Sequence, residues 1–279
     1  MYAVLYDDQE LVISNDKVYM SKSILVDYGE FDEKHVPWMY DFKHIYNIEF
    51  VRILNQINVS DMTMWFYAFK NLRELISFQN LDTSTCKKFS LVFAGCESLE
   101  TLNALKYLNV ANGINFSNMF MDCQSLKNLS GLQNWNIHSA ETFSGMFSNC
   151  IKLTSIVELQ NWNVSNCKNF SNMFANCASL LDISVLQNWN VSSCKNFSNM
   201  FYDCINAKLK QIDAFKNWNV SVDAKLDGIF EFCAFTEILL PSSWPILEYR
   251  QFERCCHLEK IEYRNLIYSY VDLNTYENF

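Results

Sequence analysis

Eleven cysteines and four histidines are the first candidates for chemistry in this chain. Zinc takes four ligands, commonly as C-x2–4-C and H-x3–5-H pairs. Cys and His meet at Cys255-Cys256-His257, where adjacent cysteines lack that spacing. There is no C-x-x-C, and His35, His44 and His138 are scattered. Neither H-E-x-x-H nor a glycine-rich phosphate cradle occurs. Carboxylate pairs stand at Asp7-Asp8 and Asp32-Glu33, in stretches that read as solvated. Eight Asn-x-Ser sequons, such as Asn163-Val164-Ser165 and Asn169-Phe170-Ser171, read as caps and turns. The expectation is no catalytic residue, no metal and no cofactor, hence no enzyme.

What the cysteines do keep is register. Cys96, Cys123, Cys150, Cys177, Cys204, Cys233 and Cys255 each lie three residues after a phenylalanine. Cys86, Cys167 and Cys194 lie seven before one. A residue in register is a packing residue, and free Cys behaves as a small buried hydrophobe. The odd count and the pattern favour reduced thiols and a reducing compartment. The phenylalanines are Phe66, Phe93, Phe120, Phe147, Phe174 and Phe201, each 27 after the last, followed by Phe230 at 29 and Phe252 at 22. Such a period means a solenoid, because one short unit cannot bury its apolar side alone.

Positions below are counted from each anchor Phe. Apolar residues at −7, −4, −1, 0 and +3 (Cys167, Phe170, Met173, Phe174 and Cys177 in one copy) have helical spacing. They predict a helix of about three turns. Ser84, Ser165, Ser192 and Ser221 at −9 would cap it. Gly95, Asp122, Asn149, Asn176 and Asp203 at +2 tolerate the left-handed conformation that would end it. Apolar columns at +6, +9 and +12 then predict a short parallel strand stacked from coil to coil. Trp135, Trp162, Trp189 and Trp218, each followed by Asn, predict a corner where stacked asparagines satisfy turn backbone from coil to coil.

The expected fold is therefore an α/β solenoid of about eight coils over 57–261, each with one short helix and one short parallel strand. Residues 1–56 read as a small antiparallel β cap, with strands at Tyr2–Tyr6, Leu11–Ser14, Val18–Met20 and Ile24–Val26. Residues 262–279, with Tyr268, Tyr270, Asp272, Tyr276 and Glu277, read as a C-terminal cap. Pro241 and Pro245 mark a break in the coil. The net charge of −9 argues against nucleic acid and anionic membrane. No run of apolar residues is long enough to span a bilayer. The opening MYAVLYDDQE has no basic region before an apolar run, so no signal peptide is expected and the chain as written reads as cytoplasmic.

The repeat phrase resembles that of the BspA-like leucine-rich repeat proteins, also described as mycoplasma-lipoprotein-type repeats. Their units look like NWDTSNVTNMSYMFSGCSSLTSLEGL. Asn161-Trp162-Asn163-Val164-Ser165, Asn172-Met173-Phe174, Asn176-Cys177-Ala178-Ser179-Leu180 and Leu186 lie on that pattern. The match runs over roughly 57–240. This chain uses Asn for the usual Asp after Trp, Phe for the usual Met at −4, and Phe69 where the first coil should have Cys. The resemblance implies a leucine-rich-repeat solenoid and, commonly, a non-enzymatic surface protein that binds other proteins.

Binding positions must be those that do not repeat. At +7 and +8 stand Arg73 and Glu74, Glu100 and Thr101, Lys127 and Asn128, Thr154 and Ser155, Leu181 and Asp182. They should form a strip on the concave sheet, where extended repeat surfaces meet partners. Arg73, Glu74, Glu100, Lys127, Asn128 and Asp182 are the expected protein-binding residues. A rival basic line at −6 and −5 (Lys87-Lys88, Lys168-Asn169, Lys195-Asn196) reads as solvation of the other face. The expectation is a monomeric protein-binding module with an unidentified protein partner. The alternatives are a cytosolic inhibitor or immunity-type protein that masks a toxin or enzyme, and a surface adhesin.

Overall fold

Tyr2–Tyr6 (β1) and Glu10–Ser14 (β2) pair antiparallel, and Ile24–Glu30 (β3) pairs antiparallel with the other edge of β1. The turn at Asp7-Asp8-Gln9 closes the first hairpin, with Gln9 at φ 68°. Phe50–Ile53 (β4) adds parallel to β2, and after the two-residue strand Ile57–Asn58 (β5), Glu74–Ile76 (β6) adds parallel to β4. The sheet order is β3-β1-β2-β4-β6, so the antiparallel start passes directly into the stacked coils. The strand expected at Val18–Met20 is not formed. This computed structural model describes residues 1–205, 214–245 and 248–269. Tyr270, Asp272, Tyr276 and Glu277 of the expected C-terminal cap fall outside them.

The expected helix is a correction, because the described residues contain no α-helix. In its place each coil makes linked turns whose amides alternate in direction. Amides at −4, −2, 0 and +2 donate to the next coil: Phe116 to Thr142 O at 3.1 Å, Asn118 to Ser144 O at 2.8 Å, Phe120 to Met146 O at 2.9 Å, Asp122 to Ser148 O at 2.8 Å. Amides at −1, +1 and +3 close turns in their own coil, as Met119 to Phe116 O and Cys123 to Phe120 O do. The alternation needs a left-handed residue every fourth position. Asn118, Asn172 and Asn199 supply it at −2, and Asp122, Asn149, Asn176 and Asp203 at +2, all with φ of 56–61°. At −2 in the coil of Phe147 stands Gly145, where a Cβ would lie 2.0 Å from the Asn118 amide oxygen.

Leu81–Asp82 (β7) pairs parallel with β5 but lies at +15 and +16, outside the expected strand columns. Among the described residues strands within those columns form only at the ends, in β6 and in Glu237–Leu240 (β8), which pairs parallel with Lys260–Tyr263 (β9), joined antiparallel by Leu266–Tyr268 (β10). Between these, the described coils have isolated parallel bridges. One line runs at −5 through Asp61, Lys88, Asn115, Thr142, Asn169, Asn196 and Lys225. The expected caps Ser84, Ser165, Ser192 and Ser221 have no helix to cap; Ser165 and Ser192 hydroxyls donate to Asn163 and Asn190 at 2.8 Å.

Packing follows the columns. The anchor rings Phe66 to Phe252 are fully or almost fully buried and stack at centroid distances of 5.4–6.1 Å. A second file, Phe89, Phe116, Phe143, Phe170 and Phe197, stacks at 5.1–6.0 Å. Each indole N–H of Trp135, Trp162, Trp189 and Trp218 reaches back to a leucine carbonyl of the preceding coil, at 2.8–3.3 Å. The first coil's outward carbonyl edge is covered: Trp38 Nε1 donates to Trp65 O at 2.5 Å, and Trp65 Nε1 to Glu33 O at 3.1 Å.

Candidate interaction surface

The repeating polar residues are consumed by the scaffold. All eleven cysteines are unpaired, and ten are buried. The thiols at +3 donate to the preceding anchor's carbonyl, from Cys96 to Phe66 O at 3.3 Å through Cys255 to Phe230 O at 2.7 Å. Burial pushes Cys86 and Cys255 up to about 12 and Cys194 up to about 11, so these are protonated packing groups and not nucleophiles. Cys255 points into this ladder while Cys256 is exposed, which separates the pair that suggested zinc. Hydroxyls at −3 pair between coils, with Ser144 to Ser171 at 2.9 Å and Thr63 to Ser90 at 3.4 Å, and Ser117 at −3 meets Thr142 at −5 of the next coil at 3.2 Å.

The asparagine ladder lies at a different column from the one expected. Asn163 and Asn190, after Trp, accept the amides of Ser165 and Ser192 within their own coil, both at 3.2 Å. Side-chain ladders from coil to coil are at +2, where Asn176 donates to Asn149 at 2.6 Å and Asn149 to Asp122 at 2.8 Å, and turn carbonyls of the preceding coil are met from −8, where Asn112 donates to Ser84 O and Asn166 to His138 O at 2.7 Å. Sequon residue Asn169 likewise holds the Ser171 amide at 2.9 Å, so its side chain is a turn element.

Each expected binding residue is exposed. Arg73 and Glu100, with Ser98 and Ser125, line a shallow depression of about 410 Å³. Lys127 Nζ lies 3.4 Å from Glu100, and Arg73 Nε lies 3.7 Å from Glu49. Backbone bonds link neighbouring coils along part of this row: Arg73 N donates to Glu49 O, Thr154 N to Lys127 O and Leu181 N to Thr154 O, at 2.8–3.2 Å. Glu74 lies in β6 beside Arg73. Asn128 and Asp182 sit further along the coils, where each holds a local amide, Ser130 N at 3.1 Å and Ser184 N at 2.7 Å. Exposed pairs of this kind contribute at most about 1 kcal/mol to stability. Their side chains are therefore free to exchange partners at little cost.

Sequence reasoning missed what extends the row at its N-terminal end. Lys70 bridges Glu97 at 2.9 Å and sits 5.6 Å from the Tyr46 ring centroid, and Tyr46 contacts Phe42. Phe42 and Tyr40 are 55% and 80% exposed, enough to offer an aromatic platform. The signal was there: three aromatics within the seven residues YDFKHIY, interleaved with Asp41, Lys43 and His44. The rival basic line is also paired with acids of neighbouring coils. Lys88 reaches Asp61 at 3.1 Å, Lys168 reaches Glu141 at 2.8 Å, and Lys195 reaches Asp223 at 2.7 Å. The Lys195 ammonium, with Ser221, holds the Asp223 carboxyl down at about 2.

The family model for a mycoplasma protein of unknown function, DUF285, matches residues 36–158 and again 127–244. The chain belongs to this family. The two overlapping matches are what a repeat array produces when a model of several coils fits in more than one register. The DUF285 chain is similar to a leucine-rich repeat protein from Bacteroides ovatus, with 17% identity over 93% of this chain and 87% of the other, at a TM-score of 0.37. It is similar to a leucine rich cell surface protein from Faecalibacterium prausnitzii, with 16% identity over 100% and 97% of the two chains, at a TM-score of 0.29. No curated protein matches it. Among the described residues no helix is long and apolar enough to cross a membrane.

Proposed function

We propose that this DUF285 protein is a leucine-rich-repeat module that binds another protein and carries out no catalysis. In this reading 57–261 is the solenoid, with 1–56 and 262–279 as its caps. The partner lies across Arg73, Glu74, Glu100, Lys127, Asn128 and Asp182. One observation supports the reading: the repeating cysteine, hydroxyl and asparagine columns bond to their own kind or to backbone from coil to coil, whereas this row is exposed and changes in chemistry from one coil to the next. The neighbouring Tyr40, Phe42 and Tyr46 add the aromatic content typical of binding hot spots.

The test pairs two variants. Arg73→Ala, Glu100→Ala and Lys127→Ala are combined with Asp182→Asn, which keeps the acceptor for Ser184 N. The control combines Lys87→Ala, Lys168→Ala and Lys195→Ala. Affinity capture from the native cell, followed by direct titration with the captured protein, should show at least a tenfold loss for the first and under a threefold loss for the second. Equal binding by both would sink the assignment.

A further inference from the structure

The end of the array distant from Arg73 holds a cleft of about 680 Å³ that the row above does not use. Five charged side chains line it: Lys225, Arg250, Arg264, Asp227 and Glu248. Arg250 is matched, 4.0 Å from Asp227 and 3.5 Å from Glu248. Neither Lys225 nor Arg264 forms an ion pair among the described residues; Arg264 lies over the Tyr263 ring, 4.7 Å from its centroid. Three cations and two anions leave the wall one positive charge in excess.

Trp244 in the same wall is fully buried, and its Nε1 has no hydrogen-bond partner among the described residues. This departs from the repeat, because Trp135, Trp162, Trp189 and Trp218 all donate to a leucine carbonyl. The difference has a local cause. Pro241 and Pro245 bracket Trp244, and its carbonyl accepts the Tyr263 hydroxyl at 3.0 Å, so the ring is set by a different chain path. Buried donors are satisfied in native proteins almost without exception, and one left open calls for an acceptor.

We propose that this cleft binds a carboxylate borne by a peptide, held between Lys225 and Arg264 with the Trp244 N–H as a further donor. The single excess positive charge suits a monoanion. A phosphate dianion would instead meet Asp227 and Glu248. Val222, 87% exposed at the cleft, and Pro245 offer apolar surface to the residues that flank the carboxylate.

The test uses the full chain, 15N-labelled, with the Trp244 indole resonance assigned by Trp244→Phe. A short acetylated and amidated peptide with a central aspartate between valines is titrated against its asparagine counterpart and against inorganic phosphate. The aspartate peptide should shift the Trp244 N–H and bind at least tenfold more tightly than the other two. Combined Lys225→Gln and Arg264→Gln should weaken it tenfold, and Asp227→Asn should strengthen it. These three side chains are exposed, so their variants should retain the other indole resonances, which report the fold. Equal binding of the asparagine peptide, preference for phosphate, or an unmoved Trp244 resonance at millimolar peptide would overturn the proposal.

Discussion

Replacing Asn172 by Ala and, separately, by Gly distinguishes the turn ladder from the helix that spacing alone predicts. Asn172 sits at −2 with φ 57°, and its amide donates to Ser198 O at 2.9 Å. In a helix interior Ala is more stable than Gly by about 1 kcal/mol. At a left-handed position the order reverses, because a Cβ there costs about 1–2 kcal/mol that Gly does not meet. The two geometries therefore differ by about 2–3 kcal/mol in the Ala-minus-Gly stability, and they differ in sign. Asn itself tolerates the conformation, so Asn172→Ala should lose about 1 kcal/mol and Asn172→Gly should be close to neutral. Urea unfolding read by tryptophan fluorescence, with equal slopes required for all three proteins, measures it. If the Ala variant equals or exceeds the Gly variant, the linked-turn geometry is wrong at this coil.

Phe174→Ala should cost about 3–5 kcal/mol in the same assay, since it empties one place in a file of rings stacked at 5.6–5.7 Å. Trp38→Phe keeps most of the buried ring but strips the donor from Trp65 O; a loss of about 1–3 kcal/mol is expected, and no loss would mean that water covers that edge equally well. A thiol reagent at pH 8 should label Cys256 rapidly and the ten buried cysteines only on unfolding. The sign of the pH effect follows from the same burial. Cys86, Cys194 and Cys255 titrate higher folded than unfolded, so their contribution is intact below about 9 and is lost as pH rises toward 11–12. Each contributes up to about 1.4 kcal/mol per pH unit in that window. Stability that rises between pH 9 and 11 would contradict it.

The period, the Phe, Cys and Trp columns and their burial were legible because each is a statement about side chains repeating against themselves. The path of the backbone between them was not read correctly, for a physical reason. Apolar residues at −4, −1, 0 and +3 face the core whether amides bond along a helix or across to the next coil. Side-chain spacing cannot separate these two. What separates them is a second set of residues: Asn118, Asn172 and Asn199 at −2, with Asp122, Asn176 and Asp203 at +2. Left-handed residues four apart cannot belong to one helix. The +2 set alone also fits the place where a helix ends; the −2 set does not.

The same distinction bears on the surface. Regular polar residues attract attention as sequons, thiols and lysine lines, yet regularity in a stacked array means that each copy has a neighbour of its own kind to bond. Asn149 meets Asn176, and Ser144 meets Ser171. Binding must therefore be sought where one coil differs from the next, as Arg73, Glu100 and Lys127 do on one row, or where the pattern breaks. Trp244 is such a break: it packs on Phe215 and the anchor Phe230, not on the second phenylalanine file, and lacks the hydrogen bond that the other indoles make among the described residues. A repeat can build any number of identical coils without creating one donor that lacks an acceptor. Among the described residues the segment between Pro241 and Pro245 holds one, beside two cations that form no ion pair there.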